Sequence, residues 1–224
     1  MATVSQSLQD RSRNWSRITL WTIVVLMMGY VIYHNERFLI NSADPVWQHY
    51  QPFKWWLLPH GLAGACALFL GPMQFSDRLR QRYLKLHKTV GWIYVVGAMI
   101  VAPFGAYIQY FEERMQQPRS FTMAAASDAG LLMLTTAIAL FFVLRGNIQQ
   151  HRQWMTRSYA VALVFLEVRV ISGVFGFDNS PMATEVIVWM CVICSVPIAD
   201  IVLNWREFKR GKITQQKAAA AKAA

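Results

Sequence analysis

Six long apolar runs separated by short polar loops leave this chain few ways to fold. A helix that crosses a bilayer takes about 20 mostly apolar residues. The runs Ile18–Tyr33, Phe53–Met73, Thr89–Phe111, Met123–Leu144, Met155–Phe175 and Thr184–Trp205 match or approach that length. In hydrocarbon each backbone N–H and C=O must find its partner inside the chain, which selects helices for runs of this kind. The expected fold class is therefore all-α, a polytopic membrane helical bundle with six transmembrane helices. It divides into an N-terminal segment 1–17, a membrane domain 18–205 and a basic tail 206–224 that ends KAAAAKAA. No small-residue cleavage site follows the first run and five further runs do, so it reads as a span and not as a signal peptide.

Composition supports this. Hydrophobic residues make up 55% of the chain and charged residues 15%, against about a quarter charged in soluble domains. The net charge of +10 sits in short loops between apolar runs, so it speaks for membrane orientation and against nucleic-acid binding. One set of alternate segments carries Arg11, Arg13 and Arg17, then Arg78, Arg80, Arg82, Lys85 and Lys88, then Arg145, Arg152 and Arg157, then the tail cations from Arg206 onward. The other set carries Arg37, Lys54, Arg114 and Arg119. The positive-inside rule places the first set, with both termini, in the cytoplasm. The expected location is a bacterial inner membrane. Acidic residues lean the other way, with Glu36, Asp44, Glu112, Glu113, Asp128, Asp178 and Glu185 on the outer side.

Ionisable groups in hydrocarbon are costly and need a reason. His60 lies about one turn inside the outer end of the second run. His87 and His151 lie at the inner ends of the third and fifth. Two neutral imidazoles on different helices at one depth can ligate a haem iron from both faces. His87 and His151 meet that depth requirement; the alternative for each is an interfacial histidine that binds water or a headgroup phosphate. His60 has no histidine at its own depth. His49, His34, Met123 and Met133 are all open as partners. Arg169, in the outer half of the fifth run, has Asp128, Glu167 or an anion such as a haem propionate as candidate partners. A structural ion pair is the plainer reading.

Tyr83, Trp92, Tyr94, Trp154 and Tyr159 read as an interfacial aromatic belt. Small residues in the second run (Gly61, Ala63, Gly64, Ala65, Ala67) suit close approach of a neighbouring helix. Cys191 and Cys194 form a C-x-x-C inside an apolar run, where a thiolate would be costly, and read as small apolar residues. No Gly-rich phosphate loop, H-E-x-x-H or zinc spacing is present. Ser127 and Ser158 have no readable His–Asp partner, so nothing supports a hydrolase.

At HGLAGACALFLGPMQF from His60, LHKTVGWIY around His87, HRQWMTRSYA from His151, and Arg169, the chain resembles the bacterial membrane-protein family catalogued as domain of unknown function 2306. That resemblance implies a multi-pass architecture and no particular activity. Six spans with histidines near the ends of the central ones are also similar to the cytochrome b-561 group, in which histidines hold two b-type haems. Here the fourth run has no histidine, so the carry-over is one haem b ligated by His87 and His151. His60 would then pair with a ligand from the fourth run or with another cofactor. The leading expectation is a b-type cytochrome or haem-dependent oxidoreductase in the bilayer, with a quinone or a redox protein as partner. The rivals are a small-molecule transporter or permease subunit with a polar cavity around His60 and Arg169, and a structural or assembly protein.

Overall fold

The computed structural model describes residues 2–37, 41, 43–115, 117–177 and 180–223, with side chains described from 18 to 205 except at 181. Asp178 and the side chains of Arg11, Arg13, Arg17 and the tail cations therefore lie outside the described residues. Eight α-helices appear among the described residues: α1 (Ala2–His34), α2 (Pro45–Tyr50), α3 (Lys54–Gln74), α4 (Asp77–Arg82), α5 (Leu84–Glu113), α6 (Arg119–Leu144), α7 (Ile148–Val174) and α8 (Pro181–Ala223). The fold is an all-helical membrane bundle. Among the described residues, four segments are long and apolar enough to cross a bilayer: Pro45–Gln74, Leu84–Glu113, Arg119–Leu144 and Met182–Trp205. The apolar part of α1, Ile18–His34, is shorter.

Local sequence fixes the helix ends. Asp44 caps α2, its carboxylate accepting from the Val46 N–H at 3.0 Å, with Pro45 in the first turn. Ser76 caps α4 through the Leu79 N–H, and Asn147 caps α7 through the Gln150 N–H. Gly146 and Gly176 follow α6 and α7 with φ of 75° and 71°, left-handed positions that favour glycine and let the chain turn back.

Helices α3, α5, α6 and α7 form a ring in which each packs on the next, and α7 closes back onto α3. In the ring α1 also leans on α7 and α3, and α8 on α7 and α6. Helix α5 lies diagonally across from α7. The end at which α3 begins and α5 finishes is termed the outer end, after the orientation the loop charges predict. A main core joins Val24, Val31, Ala67, Leu68, Tyr94, Ala98, Leu132, Ala139, Tyr159 and Leu166. A second cluster, Ala124, Val164, Val168, Val188, Cys191 and Val192, seats α8 against α6 and α7.

The small residues of α3 do what their pattern suggests. A side chain on Gly97 would meet the Ala63 carbonyl at 3.0 Å, so α5 packs nearly backbone to backbone on Ala63 and Ala67. Gly61, by contrast, faces open space. The aromatic belt needs correcting. Tyr83 and Trp92 are exposed at the bundle surface, but Tyr94 and Tyr159 are 0% and 3% exposed and belong to the core.

Helix α7 is the most enclosed element. Met155, Ser158, Tyr159, Val161, Val164, Leu166, Val168 and Ser172 are all buried, and at about 100° per residue they cover well over half of the helix circumference. It touches α1, α3, α6 and α8. Its charged residues Arg157, Glu167 and Arg169 lower its hydropathy, and it is not among the four most apolar segments.

Candidate functional site

Polar side chains gather in three layers along the bundle. At the inner end, His87 of α5 and His151 of α7 come within electrostatic reach of each other, with Arg80 close by. The Nδ1–H of His151 donates to the Ala139 carbonyl at 2.8 Å. A carbonyl only accepts, so the proton is on Nδ1 and Nε2 keeps its lone pair. His87 is held by Gln74. With the Gln74 amide oriented so that both of its ends are satisfied, its nitrogen donates to the His87 carbonyl at 3.2 Å and to His87 Nδ1 at 3.0 Å. Its oxygen then accepts from the Gly91 N–H at 3.2 Å. Two ion pairs flank this layer: Asp77 with Arg80 at the start of α4, and Arg157 of α7 with Asp200 of α8 at 2.7 Å. The Arg157 guanidinium also lies over the Trp154 ring.

In the middle, three buried hydroxyls form a chain across three helices. Tyr94 of α5 bonds Ser158 of α7 at 2.8 Å, and Ser158 bonds Thr136 of α6 at 2.7 Å. All three are 0% exposed. Ser158 therefore ties helices together and shows none of the surroundings of a nucleophile.

At the outer end, Arg169 of α7 is hydrogen-bonded to Tyr50 of α2 and is within electrostatic reach of Glu36, just past α1. Burial pushes the Glu36 carboxyl above its ordinary range, and the Arg169 charge offsets part of that. His49 of α2 bonds Glu112 at the end of α5, 2.9 Å away. Phe53, 1% exposed, packs on Phe111. Together these fasten the segment 45–53 over the bundle.

The sequence-based partners of Arg169 are therefore corrected. Asp128 of α6 lies near Glu167 of α7 and Cys191 of α8, not with Arg169. The Asp128 Oδ1 is buried without a hydrogen-bond partner, as are Asn35 Oδ1 and Ser172 Oγ. The partners considered for His60 are also elsewhere: His49 is on Glu112, His34 stacks on Tyr30, and Met123 and Met133 are surface residues, 58% and 38% exposed. His60 itself donates from Nδ1 to the Val101 carbonyl of α5 at 2.9 Å. None of the described hydrogen bonds or ion pairs links it to Arg169.

Sequence reasoning missed Gln74, Tyr50 and Asp200, and it treated Glu36 and Glu112 as loop charges. Asp200 carried a signal, since an acid inside an apolar run calls for a partner. Tyr50 carried none. Among the described residues, no group of three or more His, Cys, Asp or Glu side chains is gathered as a metal site. Cys66, Cys191 and Cys194 are free thiols.

No curated protein and no solved structure matches the chain. Residues 57–203, which run from α3 to the membrane part of α8 and include His60, His87, His151 and Arg169, match the family described as "Predicted membrane protein (DUF2306)", and the chain belongs to that family.

Proposed function

We propose that this protein crosses a bacterial inner membrane six times with both ends in the cytoplasm, and that it holds one haem b at its cytoplasmic end between His87 and His151. The convergence of these two histidines from diagonal helices carries the reading. A bis-histidine haem needs two ligands only, on opposite sides of an apolar interior. His151 fits in detail. Ligating histidines characteristically donate their other ring N–H to a carbonyl, which fixes the tautomer and orients the ring, and Ala139 supplies that carbonyl. His87 fits in position and needs one adjustment. While Gln74 donates to Nδ1, the His87 proton sits on Nε2. Turning the amide end over lets Nδ1–H donate to the Gln74 oxygen and frees Nε2 for iron, and it gives up the Gln74 bonds to the His87 carbonyl and the Gly91 N–H. Bound there, the haem would accept and release single electrons. The chain's part is to supply two oriented imidazoles and an apolar enclosure.

The test uses the full-length protein, expressed with ample haem supply and purified in mild detergent. Air-oxidised and dithionite-reduced absorption spectra and a pyridine extract should show a Soret band, sharpened bands on reduction and stoichiometric haem. Replacing both His87 and His151 by Ala should remove the haem. A colourless wild type, or full haem content in the double variant, would defeat the reading.

A second reading, a permease subunit, draws on the outer layer, where Glu36, Tyr50 and Arg169 meet in the bundle's outer half. It requires water to reach Arg169. In a variant with Cys66, Cys191 and Cys194 replaced by Ala, Arg169→Cys should then react with a membrane-impermeant thiol reagent from outside. Persistent protection would remove this reading.

A further inference from the structure

We propose that a niche on the lipid-facing surface between α3 and α5, built on His60 and walled by Trp56, Phe104 and Tyr107, binds a membrane-dissolved hydroquinone whose hydroxyl donates to His60 Nε2. Binding itself needs no haem, so the proposal stands apart from the cytochrome reading while naming a partner suited to it.

The chemistry starts with the His60 tautomer. Nδ1 is 2.9 Å from the Val101 carbonyl, which can only accept. The proton therefore sits on Nδ1, and Nε2 is an unprotonated acceptor. No hydrogen bond to Nε2 is found among the described residues. A packing role would use only the Nδ1 edge; the acceptor on the other edge is left for a donor from outside the chain. Six residues after Lys54, this acceptor lies about 9 Å along α3 from the outer end of that helix.

Glycine makes the seat. A Cβ on Gly105 would lie 2.7 Å from His60 Cε1 and 3.3 Å from Nδ1. The imidazole thus rests directly on the α5 backbone, which also supplies its hydrogen-bond acceptor. A cluster of aromatic rings, packed on one another, stands on the same two helices. Trp56 lies one turn outward from His60 on α3. Its ring centroid is 5.1 Å from that of Phe104 and 4.7 Å from that of Tyr107, and those two residues bracket Gly105 on α5. Trp56 and Tyr107 are 41% and 42% exposed, on the outside of the bundle.

An occupant must therefore arrive from the lipid, offer a hydrogen-bond donor and present a flat ring to aromatic neighbours. A hydroquinone satisfies all three, and its isoprenoid tail can stay in the bilayer. Its oxidised form, a quinone, has lost the donor and offers only carbonyl acceptors. The niche should therefore discriminate by redox state, preferring the reduced ring.

The test is equilibrium binding of decyl-ubiquinol, under anaerobic reducing conditions, and of decyl-ubiquinone to the full-length protein in phosphatidylcholine nanodiscs, with empty nanodiscs subtracted. Wild type should bind the reduced ring about tenfold or more tighter than the oxidised one, the scale of one buried hydrogen bond. His60→Ala should erase the preference with the helical circular dichroism and thermal midpoint retained. His60→Gln, whose amide can donate, should recover binding of the oxidised ring, and it serves as the second variant if His60→Ala fails to fold. Trp56→Ala should weaken both forms. The proposal is overturned if wild type binds neither ring, if it binds both equally, or if the preference survives His60→Ala. It is also overturned if phosphatidylethanolamine in the nanodisc displaces the quinol in wild type, since the niche would then be a lipid site.

Discussion

Tyr159 of α7 donates its phenolic hydrogen to the Leu68 carbonyl of α3 at 3.0 Å, and that carbonyl is the one Pro72 has no N–H to satisfy. The ring lies directly over Gly71, where any side chain would collide with it. A proline within a membrane helix is tolerated when a neighbour satisfies the freed backbone group, and here a tyrosine from another helix does so. Tyr159→Phe leaves the carbonyl unpaired and should cost about 1–3 kcal/mol, seen as a lower midpoint in thermal or SDS-titrated unfolding. Gly71→Ala should cost more. Unchanged midpoints in both variants would remove this link between α3 and α7.

The Arg157–Asp200 pair joins α7 to α8 at the inner end. Each single replacement, Arg157→Ala or Asp200→Ala, should lower the unfolding midpoint, and the double variant should lose less than the sum of the two. Non-additivity of this sign identifies direct coupling. Strict additivity would mean that the two side chains act independently.

Glu36 gives the outer end a pH dependence with a definite sign. Its carboxyl is raised above 4.5 on folding, so the folded state binds this proton more tightly than the unfolded one. The associated stability is complete below 4.5 and is lost as pH rises through the raised value. Between about pH 4 and neutrality, the thermal midpoint of wild type should fall relative to that of Glu36→Gln. A gap between the two curves that does not change with pH would contradict the assignment.

His49 and Glu112 hold the segment 45–53 across the outer end. His49→Ala should raise amide hydrogen exchange at Trp47, Gln48 and Tyr50, with little change at Ala98 or Leu132 deep in the bundle. Exchange that rises equally everywhere would mark global destabilisation instead.

Much of this architecture is legible in the sequence because hydrocarbon makes simple demands. Apolar length marks the helices of the bundle, and Ala63 and Ala67 announce a close helix contact by their size. The layer of polar groups at the outer end is legible in outline, since Arg169 and Glu167 are conspicuous in an apolar run. Their partners are not, because pairing depends on which face each helix turns toward which neighbour. Glu167 and Arg169 are two positions apart, enough to send one toward Asp128 and the other toward Tyr50 and Glu36. Tyr94 and Tyr159 look like interfacial rings in the sequence because position along a helix gives depth and not enclosure. Enclosure by neighbours, not depth, decides their role. Gln74 gives no signal, since an amide near a helix end is ordinary until the imidazole it holds is seen.

The enclosure of α7 has a consequence for how the protein is made. A segment carrying Arg157, Glu167 and Arg169 gains little from lipid by itself, yet its neighbours on either side, α6 and α8, are among the most apolar segments of the chain. During synthesis α7 emerges before α8, whose Asp200 and apolar face complete its surroundings. The nascent chain would therefore hold α7 uncommitted, at the translocon or the membrane surface, until α8 arrives, and chains truncated before residue 181 should be recognised as unfinished and degraded.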